Sequence, residues 1–186
     1  MRNMNIARAL FSLLCVIFVS MFCLGTYACA VNARDIDEGV EVSLKALRNI
    51  EGGSEVIDKA KGLLIFPGVF KAAIGIGGEY GEGALRIRGK KAGYYSTAAA
   101  SIGFQWGGEK KSIVIAFMTD EALNNFKKTD GWKVGADASV AVITVGAGTQ
   151  VSSAISNNPI VAFVFGTKGL MYDLSINGAK VTKIER

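Results

Sequence analysis

Residues 62–106 read GLLIFPGVFKAAIGIGGEYGEGALRIRGKKAGYYSTAAASIGFQW, and this stretch decides the fold. Leu63-Leu64-Ile65-Phe66 is a short apolar run stopped by Pro67-Gly68, which predicts a buried strand and a turn. Val69 to Gly78 continues extended, with glycine at 75, 77 and 78. Ala84 to Arg88 alternates, placing Leu85 and Ile87 on one face and Arg86 and Arg88 on the other. Gly89-Lys90-Lys91 turns the chain, and Gly93 to Trp106 is the next extended run. Gly107-Gly108-Glu109-Lys110 predicts a further turn, after which Ser112 to Met118 returns as a strand. Strands joined by turns this short pair antiparallel. The many Gly and Ala residues inside them suit a sheet curled tightly enough to bring backbones close together.

Upstream, the period is helical. Ile36, Val40, Leu44 and Leu47 fall on one face, Asp35, Asp37 and Glu38 load the first turn with acids, and Gly52-Gly53 ends the helix. Ser54 is placed to cap a short second helix running to Lys59. Downstream, Thr119 caps a helix from Asp120 to about Lys128, and Trp132 to Gly148 is a long extended run. Ile160 to Phe165, Leu170 to Ile176 and Val181 to Ile184 are the final strands, the last reached through an Asn177-Gly178 turn. The fold class expected is α+β: N-terminal helices packed on a curled, mostly antiparallel, barrel-like β-sheet with one inserted short helix.

The first thirty-three residues have a different character. Arg2 and Arg8 precede a stretch, Ala9 to Ala33, that carries no charge and is dominated by Leu, Val, Phe and Ile from Leu10 to Leu24; it contains Cys15, Cys23 and Cys29, all the cysteines of the chain. Residues 1–33 therefore read as a signal peptide or membrane anchor. Small-x-small sites end at Ala30 and Ala33, and Cys29 is the alternative as a lipidated first residue. Each reading delivers residues 34–186 outside the cytoplasm as one domain.

Residues 34–186 contain neither Cys nor His. The commonest nucleophiles, proton shuttles and metal ligands are therefore missing, and the expectation is no enzyme, no cofactor and no metal. The GIGGEYGEG run at 75–83 does not satisfy a dinucleotide fingerprint, because its sixth position is Tyr80 and a strand follows where a helix is required. Glu79 with Glu82, and Asp137 with Asp173, are pairs whose spacing fixes no separation suited to glycoside hydrolysis.

Charge is uneven. The whole chain carries +5, with residues 34–61 net acidic and the basic surplus after Lys61. Arg86, Arg88, Lys90 and Lys91 are the densest basic group, with Lys110-Lys111 and Lys127-Lys128 further on. Such a surplus suits an anionic membrane surface. Nucleic acid is excluded by the export signal and the small charge.

Four segments together resemble the SYLF lipid-binding domain family, in its order and at similar spacing: KGLLIFPGVFKAAIGIGGEYGEG, SIGFQWGGEKKSIVIAFMTDEALNNF, GWKVGADASVAVITVGAG and KGLMYDLSINGAKV. The similarity spans about Asp35 to Ile184. It implies a non-enzymatic domain that binds phospholipid; its bacterial relatives are small exported proteins or lipoproteins, which agrees with the leader and implies a periplasmic or outer-membrane-associated location. The function expected is binding of an anionic phospholipid membrane through basic residues on β-hairpins. Lys71, Arg86, Arg88, Lys90, Lys91, Lys110, Lys111 and Lys168 are the expected phosphate contacts. The alternative is a structural or assembly protein of the cell envelope, using the apolar strand Val140 to Val145 as an interface.

Overall fold

In a computed structural model the described residues are 32–144, 151–169 and 176–186. The leader with Cys15, Cys23 and Cys29, residues 145–148 of the long extended run, and residues 170–175 with Asp173 lie outside them. Asn32–Arg186 form one unit. It opens with helix α1 (Ala33–Arg48), capped by the Asn32 side chain, which accepts from Arg34 N, and α2 (Gly53–Lys59). Ser54 lies inside α2 and its hydroxyl donates to the Arg48 carbonyl, so the second cap is Gly52 instead.

Strands β1 (Gly62–Ile87) and β2 (Lys90–Phe117) follow and pair antiparallel from Gly62–Phe117 to Ile87–Lys90, with register shifts after Phe66, Ile74 and Leu85. This corrects the expectation of several short strands. Pro67-Gly68 is a bulge within β1 rather than a turn: the register shifts between Phe66 and Val69, and Ser112 Oγ donates to the Pro67 carbonyl at 3.0 Å. Among the described residues β1 pairs only with β2, and a proline with no N–H to donate is tolerated on such an edge. Gly107 to Lys110 likewise stays in β2, opposite Phe70 to Ala73. The tight turn that joins β1 to β2 is Arg88-Gly89, with φ of 50° and 76°. Two positive φ values match the twist of a two-residue hairpin, and Arg88 carries a conformation that costs an L side chain about 1 kcal/mol.

The rest is α3 (Asp120–Lys128), β3 (Trp132–Lys133), β4 (Ala141–Thr144), α4 (Val151–Asn157), β5 (Ile160–Gly169) and β6 (Lys180–Ile184). Thr119 caps α3 as expected, accepting from Ala122 N at 3.2 Å. The long extended run breaks into two short strands, and α4 has no counterpart in the sequence reading. The described strands form one sheet in the order β3-β6-β2-β5-β4, with β1 on the other side of β2. The helix between β4 and β5 lets these two run parallel, while every other pair is antiparallel. The fold is α+β, and its sheet curls into a half-barrel.

Alternation sorts the strand residues into two cores. Leu64, Phe66, Leu85, Ile113, Ile115 and Phe117 point to an inner face closed by Leu123 and Phe126 of α3 and by Trp132. Leu63, Ile65, Val114, Ala116, Val161 and Phe163 point outward under Ile36, Val40 and Leu47 of α1 and Val56 of α2. α1 crosses the bulge at Gly39, where a Cβ would sit 2.8 Å from Pro67 Cβ. On the inner face the two halves of β1 meet. A Cβ on Gly83 would lie 1.9 Å from the Ile65 carbonyl oxygen, and one on Gly81 would lie 2.8 Å from Val69 Cγ2. These glycines serve close backbone approach.

Candidate functional site

The eight basic residues singled out from sequence do not gather on one platform. They fall into three places, each set by its position along the hairpin.

Lys71 and Lys111 are inside. Lys111 is the register partner of Val69 and therefore shares the inner face, as does Lys71 two residues along. Both are almost fully buried, at 4% and 1% exposure. Lys111 Nζ lies 3.0 Å from Glu79 Oε2, and Lys71 stands opposite Glu109, which is also buried. Two lysines and two glutamates thus line the inner wall beyond the apolar core. These two lysines are buried against carboxylates and present no charge at the protein's surface.

Arg86 and Lys91 are at the tip end of the hairpin, beside α1. Asp37 and Glu41, one turn apart on that helix, meet them. Arg86 Nη2 donates to Glu41 Oε1 at 2.5 Å and Nη1 to the Gly89 carbonyl at 3.2 Å. Lys91 Nζ donates to Asp37 Oδ2 at 2.8 Å, and Tyr94 Oη donates to the same oxygen at 3.0 Å. The acids of α1 therefore neutralise half of the tip's positive charge. Arg88 and Lys90 remain exposed there.

Burial pushes the Asp37 carboxyl up, but the hydrogen bonds from Lys91 and Tyr94 and the charges of Lys91 and Arg86 together outweigh it and hold the group below its usual value. A lowered folded-state value stabilises the fold above the unfolded pKa of about 4, and that stabilisation is lost as pH falls through the folded value. Glu82 behaves alike: burial raises it, while the hydrogen bonds from Arg186 and Tyr80 and the charge of Arg186 bring it down. The Tyr80 hydroxyl, which donates to Glu82 Oε1 at 2.7 Å, is pushed up to about 12 by burial and by that carboxylate. Stability is expected to decline below about pH 4. In urea titrations across that range, Asp37→Asn with Glu82→Gln should show a flatter decline than wild type. An unchanged slope would remove these two groups from the account.

Lys110 and Lys168 are at the other end, roughly 25 Å along β1 from Gly62 at strand rise. They are register partners on β2 and β5, and Phe70 is the partner of Lys110 on β1. The three side chains thus form a row across three strands. Phe70 is 58% exposed, one of the few large apolar side chains on the surface, and Lys110 Nζ sits 5.0 Å over its ring. Sequence reasoning found both lysines and missed Phe70. The signal was its register next to Lys110, which needs the bulge at Pro67-Gly68 to be placed.

Glu79 and Glu82 cannot act as a pair. Glu79 points into the half-barrel toward Lys111, while Glu82 receives Arg186 and Tyr80. Asp137 instead accepts from Lys133 N at 2.6 Å as a loop brace. Among the described residues no cluster of ligating side chains has the makings of a metal site, and no helix is long and apolar enough to cross a membrane. The strand expected as an interface is packed on both sides where it is described: Val140 and Val142 against the inner core, and Ile143 within the outer one.

Residues 98–185 match the family model described as Ysc84, Las17-binding protein actin regulator. The match runs from the middle of β2 through β6 and agrees with the SYLF resemblance. No curated protein matches the chain.

Proposed function

We propose that this chain is an exported, non-enzymatic domain that docks on anionic phospholipid membranes with the Phe70–Lys110–Lys168 row against the headgroups. The family match supports a binding domain, and the observation that carries the reading is the row itself. An exposed phenyl ring beside two cations, all on one face, matches the chemistry of a membrane interface, where an apolar group enters and lysines stay with phosphate. The leader with Arg2 and Arg8 supports export, and Cys29 supports a lipid anchor as the alternative to cleavage. Arg88 and Lys90 belong to a different end, so the docking face is smaller than the set of basic residues suggests. Lys71 and Lys111 have no part in it.

Vesicle flotation of residues 32–186 tests this, since it omits the apolar leader. Binding to phosphatidylglycerol vesicles should exceed binding to pure phosphatidylcholine and weaken with salt. At about 1 kcal/mol per lysine near an anionic surface, Lys110→Gln with Lys168→Gln should lose roughly 30-fold. Equal recovery on both vesicle types, or no effect of the paired substitution, counts against it.

A further inference from the structure

A second surface has a different design. The end of α1, α2, the start of β1, the hairpin tip and α3 enclose a groove of about 830 Å³, within the range of small-molecule sites. Arg48, Lys61, Arg88 and Lys127 line it. None of these four makes an ion pair among the described residues. Two further cations on the lining are already neutralised, Arg86 by Glu41 and Lys59 by Glu55. Asp58 and Asp120 complete the charges, which leaves the unneutralised set two positive overall. Partly buried Leu44, Ile57 and Ile87 supply apolar surface between them.

The conformation of Arg88 is a second, independent observation. It holds φ of 50° in a turn position suited to Asn or Gly. The backbone would be more at ease with either, yet a long cation stands at the lip of the groove. A residue kept in an unfavoured region points to a role for its side chain.

We propose that this groove binds a phosphate monoester. Its dianion balances the residual charge of the lining, whereas a diester, with one negative charge, balances only half. Arg48 and Arg88 offer the planar fork that matches phosphate oxygens, while Lys61 and Lys127 act as point charges. The apolar surface receives the first carbons of the esterified group, whether a soluble ester or a lipid headgroup such as phosphatidate supplies it. The site is independent of the Phe70 row.

Calorimetric titration of the full chain with glycerol 3-phosphate, dihexanoylphosphatidate and dihexanoylphosphatidylcholine tests the site. Binding of one or both monoesters and not the choline lipid is expected, with affinity falling as salt rises. Equal affinity for the two monoesters identifies a soluble ester as sufficient, and tenfold tighter phosphatidate identifies a lipid; both uphold the site. Arg88→Asn should weaken monoester binding about tenfold while raising Tm by about 2 °C through the relaxed turn. Arg48→Gln with Lys127→Gln, both exposed, should weaken it further. No monoester binding, equal binding of the choline lipid, or wild-type affinity in both variants overturns the proposal.

Discussion

Gly83→Ala lowers stability by about 3 kcal/mol or more, the upper end of what overpacking costs, which for a domain of this size is a Tm drop of roughly 10 °C. The added methyl would lie 1.9 Å from the Ile65 carbonyl oxygen and 2.8 Å from Phe66 Cδ1. Ile65 and Phe66 are both buried, so the strand itself must move, and the two halves of β1 part. Gly78→Ala in the same motif provides the contrast, because a Cβ there meets nothing within 4 Å. Its effect should stay within about 0.5 kcal/mol. Thermal melts of the two variants decide the matter: equal losses would mean that Gly83 serves conformational freedom rather than close approach.

Lys111→Met leaves the Glu79 carboxylate on the inner wall without the ammonium 3.0 Å away. Removing one partner of a buried ion pair costs about 3–5 kcal/mol, because the remaining charge has been taken out of water. Replacing both, Lys111→Met with Glu79→Leu, should recover much of the loss, since an apolar pair of similar volume is often close to neutral. Urea unfolding of both single variants and the double variant yields the coupling energy. Losses that simply add would show that the two side chains do not depend on each other. Lys71 and Glu109 share this wall, and additivity is expected only for sites outside it.

Helices α1 and α3 and the Thr119 cap were legible because their signals are local, whereas Ser54 lies inside α2, and α4 had no local signal that was read. The spacing of Ile36, Val40, Leu44 and Leu47 needs no tertiary knowledge, nor does Thr119 before an acidic turn. Pro67-Gly68 misled for the same reason: a turn and a bulge on an edge strand share one local signature, and only pairing with Ser112 tells them apart. The interior charges were half legible. Lys111 stands in alternation with Ile113, Ile115 and Phe117, which places it inward, but lysine is so often at the surface that its type outweighed its parity. The clamp of Asp37 and Glu41 on Lys91 and Arg86 joins residues about fifty apart in sequence. No spacing rule reaches that far. Lys110 and Lys168 were found by type, but their company with Phe70 depends on register.

The long β1–β2 hairpin also orders the cost of assembly. Ile87 and Lys90 are brought together by two intervening residues, whereas joining Gly62 to Phe117 first would enclose nearly the whole hairpin. Loop-closure entropy grows with the length enclosed, so each rung closed from the tip makes the next one cheap. Pairing that begins at Arg88-Gly89 zips toward the base. The groove's arginine lip thus belongs to the part of the sheet that costs least to form.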